Sequence, residues 1–128
     1  MLLAKDNKGF TAWHHATLNG SSEALEKIIG FAIDAELSPN ESLLAQGENG
    51  VTAFHMAAKG NHVGILQNLW FWAEITQQNP RELKTKLFQA KDNEGFTAGQ
   101  HAARNGNLDA FKALLGFAYE VELNSDEL

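Results

Sequence analysis

Five histidines are the side chains of this 128-residue chain best suited to proton transfer or metal binding. His14 and His55 occupy one position of a recurring segment, His15 and His101 the next, and His62 stands apart. Zinc needs three or four converging ligands, often paired at helical spacing. The pair nearest to that pattern is His55 with His62, seven residues apart and across a helix end, so no metal site is expected. Serine and histidine are nowhere placed in an interpretable nucleophile arrangement. Gly47-Glu48-Asn49-Gly50 lacks the patterns that cradle phosphate. There is no cysteine, which excludes a disulfide framework and a thiolate site. Asp6, Glu48, Asp92 and Glu94 fall in turn segments, where solvated turn chemistry explains them. A non-enzymatic chain without cofactor or metal is therefore expected. His15 and His101 share their column with Met56, which reads as a packing position.

The elements that would position these residues recur three times. Gly50-Val51-Thr52-Ala53-Phe54-His55-Met56-Ala57-Ala58-Lys59-Gly60-Asn61 has near copies beginning at Gly9 and at Gly95. The glycines are 41 and then 45 residues apart (50 − 9 and 95 − 50). Recurrence on this scale marks a solenoid of stacked units. The chain reads as one domain, residues 1–128, with periods of about 5–45, 46–90 and 91–128. Each period opens on a polar turn rich in Asp, Asn and Gly. A short helix follows, with Thr11, Thr52 and Thr97 as N-caps. It ends at Gly20, Asn61 and Gly106, residue types that accept the left-handed conformation.

A longer second helix carries the core columns Leu25/Leu66/Phe111, Ile28/Leu69/Leu114, Ile29/Trp70/Leu115 and Ala32/Ala73/Ala118. These advance by three, one and three residues, which is one helical face. A second stripe, Ala24 with Phe31, Ile65 with Trp72, and Ala110 with Phe117, makes the apolar face broad. Trp70, Trp72, Phe31, Phe111 and Phe117 are thus assigned to the core. Ser38-Pro39-Asn40-Glu41 and Asn79-Pro80-Arg81-Glu82 resemble capping boxes with proline at the first helical position. They predict third helices from about Pro39 to Ala45 and from about Pro80 to Gln89. Phe71 shares its column with Gly30 and Gly116 and points away from the main face, which leaves it either exposed or packed on the third helix.

The segment Thr52-Ala53-Phe54-His55-Met56-Ala57-Ala58 resembles the Thr-Pro-Leu-His-x-Ala motif of ankyrin repeats, and the likeness extends over the whole chain three times. The fold it implies is an all-α helical-repeat solenoid of ankyrin type. It would have three helix pairs, short turns or β-hairpin-like tips, and additional third helices. Alanine replaces the motif proline at 12, 53 and 98, and the periods exceed the usual length of about 33 residues. Gln100 stands in the histidine position and Gly99 in a large apolar one, so the third inner helix is expected to pack less well. The resemblance also implies that His14 and His55 bond the motif threonine and nearby backbone.

What the resemblance implies for function is a module that binds another protein through its turn tips and the concave face of its short helices. The candidate residues in the first unit are Asn7, Lys8, Phe10, Leu18 and Asn19. The second contributes Glu48, Asn49, Val51, Lys59 and Gly60, and the third Asn93, Glu94, Phe96, Arg104 and Asn105. The competing reading is a structural or self-associating spacer of a longer solenoid, natural or engineered, with no partner of its own. Leu2-Leu3-Ala4 matches the tail of a third helix and Asn124–Leu128 the start of one, as if the chain were cut from a longer array. Uncovered ends, with Leu2 and Leu3, together with Phe71 would then mediate self-association.

The net charge of −6, from 10 basic and 16 acidic residues, disfavours nucleic acid and anionic membrane surfaces as partners. No apolar run approaches the ~18 residues of a membrane span. The first residues are too soon charged for a secretory signal, and the final Ser-Asp-Glu-Leu is better read as a truncated capping box than as a retention tail. An intracellular, cytoplasmic setting is the expectation.

Overall fold

A computed structural model describes residues 4–37, 39–75 and 79–121. Among these residues there are eight α-helices and no strand. Three inner helices, α1 (Ala12–Leu18), α4 (Ala53–Lys59) and α7 (Ala98–Arg104), each precede a longer outer helix. The outer helices are α2 (Ser22–Asp34), α5 (Val63–Glu74) and α8 (Leu108–Glu120). Third helices α3 (Pro39–Leu44) and α6 (Pro80–Gln89) lead to the next unit, α3 one residue shorter than expected and α6 as expected. Their lengths of 6 and 10 residues differ by 4, about one helical turn, so both can keep the same face inward.

Local chemistry sets the ends. The Thr52 hydroxyl accepts the His55 amide at 3.2 Å, and Thr97 does the same for Gln100 at 3.2 Å. Gly20, Asn61 and Gly106 have φ of 68°, 60° and 67°. In each case the amide of the next residue bonds back into the helix, as from His62 to the Ala57 carbonyl at 2.8 Å. That is the Schellman termination. At α6, the Asn79 side chain accepts the Glu82 amide at 3.2 Å with Pro80 in the first turn. The matching cap at Ser38 lies outside the described residues.

Units stack through aromatic rings. Trp72 of α5 lies flat on Trp13 of α1, centroids 4.4 Å apart at 8°. Phe117 of α8 lies on Trp70 of α5 at 4.4 Å and 7°, with Phe54 and Phe88 around them. Offset stacking adds about 0.5–1.5 kcal/mol per pair beyond burial. The second stripes of α5 and α8 thus face the preceding unit. This corrects the assignment of Phe31, which is 60% exposed. Its column is the one that carries Trp72 and Phe117, and no described residue stands where their partners stand. Phe111 is half-buried against the core, and Phe71 resolves as exposed, at 60%.

The third inner helix does not pack poorly. Ala98, Gly99 and Ala102 are buried, and α4 with α7 forms the most extensive helix pairing among the described residues. Small side chains here let the two backbones approach. Lys84 of α6 was not foreseen as a core residue, yet only 4% of it is exposed. Its ammonium contacts the carboxylates of Glu74 and, at 2.9 Å, Glu120, and sits 5.2 Å above the Trp70 ring. Trp70 Nε1 donates to Glu120 as well. The Trp70 N–H, with Lys84, outweighs burial and holds the Glu120 carboxyl below its ordinary range. One lysine thus ties α6 to the ends of α5 and α8.

Candidate functional site

Each turn tip is a closed loop held by its own backbone. Asp6 N donates to the Phe10 carbonyl at 3.0 Å, Gly47 N to Val51 at 2.9 Å, and Asp92 N to Phe96 at 3.0 Å. The pairing is hairpin-like but too short to form a strand. In the first tip, one Asp6 oxygen accepts the Lys8 and Phe10 amides at 2.9 Å each, and the other meets His15 Nε2 at 2.7 Å. The third tip repeats this. Asp92 accepts the Glu94 and Phe96 amides at 3.0 Å and meets His101 Nε2 at 2.7 Å. His15 and His101 are therefore polar partners of turn aspartates, and the packing assignment is corrected. Asp6 and Asp92 are structural acceptors rather than freely solvated carboxylates.

The aspartates titrate accordingly. The Phe10 amide is the leading reason that Asp6 is held below the ordinary carboxylate value, with His15 and the Lys8 amide adding to it. Burial opposes ionisation of Asp92, but the Phe96 amide and His101 outweigh it and hold its pKa down too.

The middle tip is built differently. Gly47 stands in the aspartate position and Met56 in the histidine position. The Phe10 ring fills the space: a Cβ on Gly47 would lie 2.2 Å from a ring carbon. Asn49, with φ of 64°, offers its carbonyl to the Asn93 amide at 2.9 Å, which links the second and third tips. The Lys5 ammonium donates to the Gln46 carbonyl at 3.2 Å and links the first two.

His14 and His55 stitch each unit to the next. His55 Nδ1 lies 3.2 Å from the Thr52 amide and 2.8 Å from its hydroxyl, while Nε2 lies 2.9 Å from the Phe96 carbonyl. His14 does likewise, with Thr11 at 3.0 Å and the Val51 carbonyl at 2.9 Å. Because Nδ1 faces donors, the ring proton is assigned to Nε2, which donates to the next unit's carbonyl. A second ring proton would collide with the threonine donors. Burial holds both imidazoles below their ordinary pKa, against the opposing effect of the carbonyls. Gln100, the third member of this column, keeps the threonine bond: its Oε1 accepts Thr97 N at 2.9 Å. Asn107 adds a further stitch, donating to the Ala58 and Lys59 carbonyls at 2.9 and 2.7 Å.

Between the tips and the inner helices lies a concave cavity of about 390 Å³. Of the residues singled out from sequence, Phe10, Leu18, Glu48 and Asn49 line it, as do Val51, Lys59, Gly60 and Glu94. The others are not brought to it. Asn7, Lys8, Asn19 and Asn105 are exposed, Asn93 is engaged with Asn49, and Arg104 lies over the Phe96 ring at 4.4 Å. Sequence reasoning missed Met56, His62, Thr17, His55, Asp92 and His101 as lining residues. For the last two a signal existed. Asp6 with His15, Gly47 with Met56, and Asp92 with His101 are each nine residues apart and change together. Among the described residues, no three His, Cys, Asp or Glu side chains converge as metal ligands. Phe71 lies on outer helix α5, exposed; Leu2 and Leu3 lie outside the described residues.

A model of ankyrin repeats in three copies matches residues 33–126. With the helix pairs, the tips and the Thr-x-x-His stitches, this places the chain in the ankyrin-repeat family. No curated protein matches the sequence. Ankyrin repeats are generally protein–protein interaction modules and generally not enzymes. No described helix is long and apolar enough to cross a membrane.

Proposed function

We propose that the chain is a non-enzymatic scaffold that binds another protein in the concave groove between its tips and its inner helices. The observation that supports this most is the composition of the cavity. Partly buried apolar side chains (Phe10, Val51, Met56) and exposed charged ones (Glu48, Lys59, Glu94), drawn from three successive units, share one concave surface. Apolar side chains among polar and charged groups that fix orientation are what recognition sites combine.

The reading is tested by affinity capture. The chain is immobilised and compared with Met56→Asp/Lys59→Glu in the groove and with Gln67→Glu on the exposed side of α5. Specific capture by the wild type and the α5 variant, lost in the groove variant, is the expected result. Equal capture by all three would overturn it. One observation favours a second reading, a self-associating spacer: the exposure of Phe71 and Phe31 at 60% each.

A further inference from the structure

Resting on that reading, we infer that the groove's occupant is a peptide segment that seats an apolar side chain beside a lysine or arginine. Two sets of residues carry this. The first is the floor. The Asp–His pair that closes the first and third tips is absent from the second, and Phe10, Val51 and Met56 line the cavity partly buried. That surface takes an apolar side chain and offers a basic head nothing of its own.

The second is the rim. Glu48 and Glu94, on successive tips, are exposed and make no ion pair among the described residues. The buried carboxylate of Asp92 is taken up by two amides and His101, so it is not free to compete with Glu48 and Glu94 for an incoming cation. Lys59 stands at the other edge, at the end of α4. The tip edge is therefore acidic and unpartnered, above an apolar floor. The chain's net charge of −6 adds a long-range field of the same sign, which steers a cationic segment inward and keeps an acidic one out.

A random dodecapeptide library displayed on phage, selected on the immobilised chain in 50 mM salt, tests this. Recovered sequences should carry Arg or Lys next to Leu, Met or Phe. A synthetic copy of the leading sequence should bind Glu48→Gln/Glu94→Gln about 2- to 30-fold more weakly, the range for two exposed ion pairs. That variant should also show a shallower salt dependence than the wild type. Met56→Asp should abolish binding of the same peptide. Recovered sequences that are apolar without basic residues, or acidic, overturn the inference and leave the groove reading intact. Peptides insensitive to Met56→Asp overturn both. An unenriched library overturns the peptide inference, while the capture experiment decides the groove reading on its own terms.

Discussion

Replacing His55 tests the stitch between units most directly. The ring is 2% exposed and holds the Thr52 amide on one side and the Phe96 carbonyl on the other. His55→Ala strands both. Each buried unsatisfied group costs about 1–3 kcal/mol. The Phe96 carbonyl lies near the groove, where water can take over its bond. The net loss expected is about 2–4 kcal/mol. His55→Gln should cost only about 1 kcal/mol, the net worth of one bond, since Gln100 shows that glutamine at this position still accepts its threonine amide at 2.9 Å. Urea unfolding followed by far-UV circular dichroism and by tryptophan fluorescence measures both, the two probes checking that the transition is cooperative. Acid gives an independent reading. His14 and His55 are held below the ordinary imidazole value of about 6.5, so the folded chain resists protons that the unfolded chain accepts. Their contribution is complete above about pH 6.5 and is lost as pH falls toward the folded values, at up to about 1.4 kcal/mol per pH unit for each histidine. His55→Gln should roughly halve that slope. Equal costs for alanine and glutamine, or an unchanged slope, would refute the two-sided stitch.

Three further outcomes are expected. Asp92→Asn and His101→Met should each destabilise, and their double-mutant cycle should show a coupling of about 0.5–3 kcal/mol, measured by urea midpoints; an additive pair would break the proposed link. Lys84→Leu should stay within about 1.5 kcal/mol of wild type, because leucine already occupies the equivalent position at Leu43 and the two carboxylates are half-exposed and can hydrate, whereas Lys84→Ala leaves a cavity and should cost clearly more in the same assay. Sedimentation across a hundredfold concentration range should show association that Phe71→Ser reduces; a monomer in both proteins would remove Phe71 as a contact.

The parts of this fold that were legible in the sequence are those written locally. The threonine caps, the left-handed residues ending the inner helices and the prolines opening α3 and α6 act within four residues of themselves. Nothing longer than a helical turn is needed to read them. Phe31 was misplaced because its burial depends on what stands beside its unit, and its column is identical in type to that of Trp72 and Phe117. Lys84 was invisible because its partners, Glu74 and Glu120, come from two other helices, 10 and 36 residues away. The Asp–His pairs were visible in principle. Reading the histidine column without the aspartate column nine residues before it concealed them, since Met56 made the position look apolar.

That exchange in the middle unit carries a last prediction. Where the first and third tips use aspartate and histidine, the middle tip closes without a charged pair: Gly50 N bonds the Gly47 carbonyl at 3.0 Å, Gly47 N bonds Val51 at 2.9 Å, and the Gln46 side-chain amide donates to the Gly50 carbonyl at 3.1 Å. The aspartate's volume is given to the Phe10 ring and the histidine's to Met56, so the tip gives up a charged pair and gains an apolar floor. Gly47→Asp/Met56→His should restore the pair. The new side chain would meet the Phe10 ring at 2.2 Å and must push it out, since a ring at the end of a flexible side chain yields more readily than backbone. Bonds from the new carboxylate to the Asn49 and Val51 amides and to the imidazole offset the lost burial of Phe10. Stability should therefore change by no more than about 1 kcal/mol, while binding of a groove-selected apolar peptide should fall by tenfold or more. Titration of that peptide by fluorescence anisotropy, alongside urea unfolding of the same preparation, separates the two quantities. Unchanged affinity in a stably folded double variant would show that the floor formed by Phe10, Val51 and Met56 is not where the partner's side chain sits.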